Sequence, residues 1–160
     1  MKIIRAPEKC NRIADIFLAG SILHYPTQEE MESSSRRKYV WRDDVMKGLS
    51  DVQGLIFNPE RISFPRLGSK EYLEQINWER EYLRNSKLAV FWLSVQKPTS
   101  YASRVEIGFA KGLEIPIIIG VEEGFPGAEY IEAFLGIKPE GTLEDVIVKT
   151  KQRIKNIKEG

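Results

Sequence analysis

The sequence is poor in the two side chains that most often build metal and redox sites. It contains one cysteine, Cys10, and one histidine, His24. A single cysteine excludes an internal disulfide, and a single histidine argues against a His-rich metal centre or a Ser-His-Asp triad. We therefore expect a protein without a metal site.

Long apolar runs and a strong excess of charge are also absent. No apolar run approaches the ~20 residues that span a bilayer, and residues 1–12 lack the apolar core of a signal peptide. Lysine and arginine number 24 against 23 aspartate and glutamate residues. This balance argues against a nucleic-acid protein that depends on a basic field. We expect a cytoplasmic protein with no nucleic-acid or membrane partner.

The 160 residues, 42% hydrophobic and 29% charged, fit a single domain over residues 1–160. Short apolar runs predict buried strands at 13–19, 55–57, 88–93 and 115–121. Helical periodicity predicts helices at 39–52, 70–85, 101–113, 127–135 and 142–157. The strands lack polar alternation and alternate with helices. This pattern predicts a doubly wound α/β domain around a parallel sheet.

Polar and small residues follow the predicted strands. Ligands of an open parallel sheet bind at the carboxyl ends of its strands. Gly20 and Ser21 follow the first strand, Asn58 and Pro59 follow the second, and residues 94–103 follow the third. A polar insertion at 24–38 comes soon after the first strand. A loop of that length is either functional or a solvated surface segment.

Glu106 is the first of two carboxylates that the spacing places on an inward helix face. It comes four residues after Ala102 and three before Phe109, which puts it on the predicted apolar stripe. Two interpretations remain open. Residues 103–106 (SRVE) match a capping box, and the same carboxylate could act in a cleft. Gly108 predicts close packing of the backbone.

Glu79 repeats the pattern on the preceding helix. Ile76 and Leu83 predict its inward stripe, and Glu79 lies between them. The alternative is a boundary residue paired with Arg80 or Arg84. Two carboxyl groups ~5 Å apart are the apparatus for displacement at an anomeric carbon, one as nucleophile and one as acid/base. That is the chemistry that this composition can best supply.

Six short motifs follow one another along the chain. They are IFLAGSI at 16–22, WR at 41–42, FNP at 57–59, INWE at 76–79, FW at 91–92 and SRVEIG at 103–108. This ordered series resembles the nucleoside 2-deoxyribosyltransferase-like family over residues 13 to about 121. The resemblance implies a flavodoxin-like fold and action on N-glycosidic bonds of nucleosides or nucleotides. It also implies a homo-oligomer in which a neighbouring subunit helps to close the active site.

The resemblance also implies roles for individual residues. Glu106, in a Glu-x-Gly motif, matches the nucleophile that attacks C1′ and forms a glycosyl-enzyme ester. Glu79 matches the carboxylate that handles the base or its proton, where transferases commonly have Asp. The predicted substrate-binding residues are Gly20, Ser21, Asn58, Ser100 and Ser103.

Ser100 leaves the reaction open. Transferases commonly carry an Asp six positions before the nucleophile, whereas the 5′-monophosphate glycosidases of the superfamily commonly carry a Ser. We expect a retaining enzyme that transfers (deoxy)nucleoside sugars between bases. Hydrolysis of nucleoside 5′-monophosphates is the first alternative, and a non-catalytic nucleotide-binding module is the second. We expect no cofactor, because protonating the departing base does what a Lewis acid does elsewhere.

Overall fold

The structure, a computed structural model, describes residues 1–20, 41–61, 65–95 and 101–160. Within these ranges the strands are β1 Lys2–Arg5, β2 Ile16–Gly20, β3 Leu55–Asn58, β4 Ala89–Leu93 and β5 Ile117–Val121. The helices are α1 Trp41–Gly48, α2 Lys70–Arg84, α3 Tyr101–Gly112, α4 Ala128–Leu135 and α5 Leu143–Glu159.

All five strands form one parallel sheet in the order β1-β3-β2-β4-β5. The chain passes from β2 to β3 on one side and then to β4 on the other. The strand order therefore reverses at β2, and the carboxyl end of β2 is the place where such sheets bind ligands. The predicted doubly wound α/β domain, of flavodoxin-like type, is confirmed.

Helices cover both faces of the sheet. Phe17 and Ala19 pack in a cluster with side chains of α2, α3 and α4, whereas Ile16 and Leu18 pack against α1 and α5. Successive side chains of a strand point to opposite faces, so a sheet covered on both sides needs apolar residues at every strand position. This explains why the predicted strand runs show no polar alternation.

The apolar pattern did not predict β1. Its sequence is KIIR, and it pairs with β3 at the edge of the described sheet. Ile4 is its one buried side chain, so the strand contributes too little apolar sequence to stand out. The first predicted strand also begins too early, because Ile13 is 64% exposed and β2 begins at Ile16.

The predicted inward face of α3 is wrong in part. Its buried residues are Ser103, Ile107 and Ala110, whereas Ala102 is exposed. Glu106, which is half-buried, therefore lies at the border of the buried face of α3. The predicted capping box is also wrong. The residue that caps a helix lies before its first turn, whereas Ser103 is the third residue of α3.

The predicted inward face of α2 is also wrong in part. Ile76 is 40% exposed, and the buried side chains are Gln75, Trp78, Tyr82 and Leu83. Trp78 stacks on Tyr82 with a centroid distance of 4.1 Å, and its indole donates a hydrogen bond to the Glu8 carbonyl. Packing of these aromatic side chains sets the orientation of α2 about its axis. In this orientation Gln75 is buried and lies one turn before Glu79.

Two glycines with opposite surroundings provide a test of this packing. The predicted close packing at Gly108 is wrong: outside its own helix, no atom of the described residues lies within 4 Å of a Cβ built there. A Cβ at Gly120 would lie 2.5 Å from the side chains of Trp92 and Val146.

Gly108→Ala should raise the free energy of unfolding by about 0.5–1 kcal/mol. Gly120→Ala should lower it by about 1–3 kcal/mol. Urea denaturation measures both, and shifts of the same sign would contradict the packing.

Candidate active site

Gly20 ends the central strand in a conformation that suits only glycine. Its φ is +131°, and a Cβ there would lie 2.3 Å from the Trp92 carbonyl oxygen. Gly20 pairs with Trp92 in the register of β2 and β4. The missing side chain therefore lets the two strands run side by side to the carboxyl edge of the sheet.

Arg42 of α1 binds the backbone at this strand end. It is 2% exposed, and its Nη2 donates a hydrogen bond of 2.9 Å to the Gly20 carbonyl oxygen. Its Cζ lies 4.4 Å from the ring centroid of Trp41. Burial lowers the pKa of Arg42 to about 10, and the charges of Glu60, Glu106 and Glu79 act in the opposite direction. The guanidinium thus stays charged at neutral pH and acts on both candidate catalytic carboxylates.

Gln75 holds Glu79 against the end of β3. The Gln75 side chain is fully buried. Its Nε2 donates to Glu79 Oε1 at 2.7 Å and to the Pro59 carbonyl oxygen at 2.8 Å. Burial raises the pKa of the half-buried Glu79, while the Gln75 hydrogen bond and the charges of Arg42 and Arg61 oppose the rise. Because Pro59 directly follows β3, this bridge places Glu79 at the carboxyl edge of the sheet.

Glu106 interacts electrostatically with Glu79. Burial and the Glu79 charge raise the pKa of Glu106 to about 8, and the Arg42 charge opposes the rise. Because the charge on one carboxylate raises the pKa of the other, the second proton of the pair leaves at a higher pH than the first. Between those two steps the pair holds one proton. Such a pair presents one acid and one base.

Asn58 and Ser103 are buried polar residues near this pair. Asn58 ends β3, and its Oδ1 accepts a hydrogen bond of 3.0 Å from the Glu60 backbone N–H. This contact shapes the turn after β3. Ser103 is 2% exposed and lies almost one turn before Glu106 on α3. Their predicted contacts with substrate stay predictions.

Several predicted features lie outside the described residues. These are Ser21, Ser100, His24 and the insertion at 24–38. Among the residues with a described position, Gly20, Glu79 and Glu106 come together around Arg42 at the carboxyl edge.

The sequence profile described as nucleoside 2-deoxyribosyltransferase like matches residues 13–125, more than half of the chain. The chain belongs to the nucleoside 2-deoxyribosyltransferase-like family. No curated protein matches it. The matched region of this family member includes β2 to β5 and the residues Gly20, Arg42, Glu79 and Glu106.

Arg42 and Gln75 are site residues for which the sequence predicts no role. The sequence does contain a signal that could have identified Arg42, because the WR motif at 41–42 is part of the family resemblance. Gln75 carries none, since a single glutamine among the polar residues of α2 looks solvent-exposed until the helix is packed.

A cavity of about 610 Å³ lies away from this site, at the amino-terminal edge of the sheet. Leu88, directly before β4, and Ile117, the first residue of β5, line it together with Lys111 and Arg153. Among the described residues, no group of three or more His, Cys, Asp or Glu could hold a metal ion. The described helices include none long and apolar enough to cross a membrane.

The raised pKa of Glu106 predicts a pH-dependent effect of Glu106→Gln on stability. Below the unfolded pKa of about 4.3 the Glu106 carboxyl is protonated in both the folded and the unfolded protein. At higher pH the unfolded protein loses this proton more readily than the folded one, so the stability of the folded protein falls as pH rises through the folded pKa of about 8. The melting temperature of Glu106→Gln should therefore increase relative to wild type as pH rises from about 5 to about 9. Each kcal/mol corresponds to about 2–4 °C.

Thermal melts followed by circular dichroism measure this difference. Glu81→Gln is the matched control, because Glu81 is an exposed carboxylate on α2, and it should show no such increase. A Glu106→Gln effect that stays constant with pH would contradict the described burial of the carboxyl.

Proposed function

We propose that this family member is a retaining N-glycosidic-bond enzyme of the nucleoside 2-deoxyribosyltransferase type that acts on (deoxy)nucleosides in the cytoplasm. The observation that carries the proposal is the coupled pair of half-buried carboxylates, Glu79 and Glu106, beside the buried Arg42. Carboxyl groups perturbed by burial and by each other are typical of catalytic sites. Membership of the family supports a nucleoside as the substrate.

The first step uses both carboxylates. The raised pKa of Glu106 favours the shared proton on Glu106 before substrate binds, so the reaction starts from the form in which that proton has moved to Glu79. In this form Glu106, ionised, attacks C1′ and forms an ester bond to the sugar while the bond between C1′ and the base nitrogen breaks. The electron pair of that bond goes to the base, which takes a proton from Glu79. A pair holding one proton supplies both the nucleophile and the acid. Since Gln75 occupies Oε1 of Glu79, Oε2 is the oxygen that delivers the proton.

In the second step Glu79 acts as the base and Glu106 is the leaving group. An acceptor base attacks C1′ and gives its proton to Glu79, and the ester bond breaks to regenerate the Glu106 carboxylate. Water in place of the acceptor base gives hydrolysis. Two displacements at one carbon retain its configuration.

A binding module without turnover fits the pair less well. Two like charges in one half-buried site disfavour the ionised folded state, because burial raises the pKa of both carboxyls and the Glu79 charge raises that of Glu106 further. Recognition of a neutral nucleoside needs no such pair. Enzymes commonly retain such destabilising groups because activity requires them.

Substitution of each carboxylate tests the assigned roles. Glu106→Gln should lower kcat by orders of magnitude, since an amide cannot form the glycosyl ester. Glu79→Gln should lower it by about 10²–10⁴-fold, the usual contribution of an acid/base group. Exposed Glu81, again changed to Gln, is the control and should keep the wild-type rate. Chromatography of bases released from a nucleoside panel, with and without an acceptor base, measures the rates.

Covalent labelling provides a second readout for the nucleophile. A slow 2-fluoro nucleoside should add one sugar mass to the peptide that contains Glu106. Near-normal turnover by Glu106→Gln, or a label on another residue, would contradict the proposed mechanism.

Hydrolysis of nucleoside 5′-monophosphates remains the alternative reaction of the same pair. It is favoured by Ser100, where transferases commonly carry a carboxylate that would repel a phosphate. If the phosphate is recognised, 5′-monophosphates should be cleaved faster than free nucleosides, and Ser100→Asp should reverse that preference. Equal rates on both substrates, unchanged in Ser100→Asp, would leave this serine without a role in choosing the substrate.

We also propose that the protein is a homo-oligomer. Tyr130 and Phe134 stack on the outside of α4 and are 67% and 74% exposed, and Tyr101 and Val105 are similarly exposed on α3. Apolar exposure of this extent is typical of an interaction surface. Light scattering should give a dimer or a larger assembly, whereas a fully active monomer would contradict this proposal.

A further inference from the structure

The Arg42 guanidinium is held by contacts on two sides. Nη2 donates to the Gly20 carbonyl oxygen at 2.9 Å, and Cζ lies 4.4 Å from the Trp41 ring centroid. The side chain is 2% exposed. Burying a guanidinium costs several kcal/mol unless nearby groups offset the loss of water. Packing alone would therefore favour an apolar residue at this position.

The charged groups around Arg42 come from four other parts of the fold. Those that the described residues supply are Arg5 on β1, Glu60 after β3, Glu79 on α2 and Glu106 on α3. Arg5 forms ion pairs of 3.4 Å with Asp43 and Glu60. Arg61 also acts on Glu79. Of the cations that the described residues supply, Arg42 is the one that acts on both Glu79 and Glu106.

We propose that Arg42 is a positioning residue that keeps one member of the Glu79–Glu106 pair ionised near neutral pH while it fixes the end of β2 beside them. The inference rests on the proposed function, in which an ionised Glu106 and a protonated Glu79 start the reaction. Burial and mutual repulsion both favour two neutral carboxyls. A fixed buried cation favours one negative charge, and that charge is what the first displacement needs.

Lysine and methionine at position 42 separate charge from packing, because their side chains are similar in length and volume and differ in charge. Arg42→Lys should keep the wild-type acid limb of the kcat/KM profile, with a lower kcat because the guanidinium contact to Gly20 is lost. Arg42→Met should move the acid limb to higher pH. Its loss of activity relative to wild type should be greater near pH 6 than near pH 8, by up to about tenfold for a shift of one pH unit.

Arg80→Met is the matched control. Arg80 lies next to Glu79 in the sequence but is exposed, and its hydrogen bond of 3.2 Å goes to Asn77. Its pH profile should equal that of wild type. If Arg42 only supports the fold, Arg42→Met lowers the melting temperature and leaves the pH profile of the folded protein unchanged, which would overturn the proposal.

A titration without substrate separates this inference from the proposed reaction. In protein with ¹³C-labelled glutamate carboxyls, the signals lost in Glu79→Gln and Glu106→Gln identify the pair. These signals should titrate at higher pH in Arg42→Met than in wild type or Arg42→Lys. If they do so in a protein that cleaves no nucleoside, the proposed function fails and the role of Arg42 stands. Identical titrations in all three proteins would overturn it.

A folding defect in Arg42→Met is itself informative. The proposal predicts that this variant is most stable near pH 5, where the carboxyls are protonated, and that adding Glu106→Gln restores stability near pH 8. A defect that is equal at both pH values and is not relieved by Glu106→Gln would show that Arg42 does not act through the carboxylates.

Discussion

A buried positive charge at the carboxyl edge of the sheet is the constraint on which the site depends. Arg42 is 2% exposed and meets the end of β2 directly, while carboxylates from the β3 end, α2 and α3 act on it from other sides. A buried ionic group stabilises a protein only when its geometry is good and its partners are in place. The packing of three helices and two strand ends therefore has to be fixed before the site exists.

The order of the strands supplies that fixed frame. Because the chain crosses from one side of β2 to the other, the elements that follow β3 and β4 meet above the same strand end. Gly20 permits the close approach of β2 and β4, and Gln75 ties α2 to the residue after β3. Gln75 also binds Glu79, so at this position the same side chain serves the packing of the fold and the geometry of the site.

The sequence was informative about the parts of the molecule that depend on apolar pattern. Four of the five described strands are apolar runs buried on both faces, whereas β1 contributes one buried isoleucine and gives no such signal. The two carboxylates were found, but from helix stripes that were partly wrong, because buried Gln75 and Ser103 look like surface residues in a sequence. Gln75 donates a hydrogen bond to Pro59, 16 residues away, and Arg42 donates one to Gly20, 22 residues away. Periodicity within one helix carries no information about such partners.

The stereochemistry at C1′ tests the account most directly, because it reports whether two displacements take place. The experiment supplies a β-nucleoside donor and a different acceptor base, and proton NMR identifies the anomer of the first nucleoside product before it can react again. Two displacements through Glu106 predict the β-anomer, and for hydrolysis they predict that the first sugar formed is also β. An α-configured first product would show a single displacement by acceptor or water and would contradict the role proposed for Glu106.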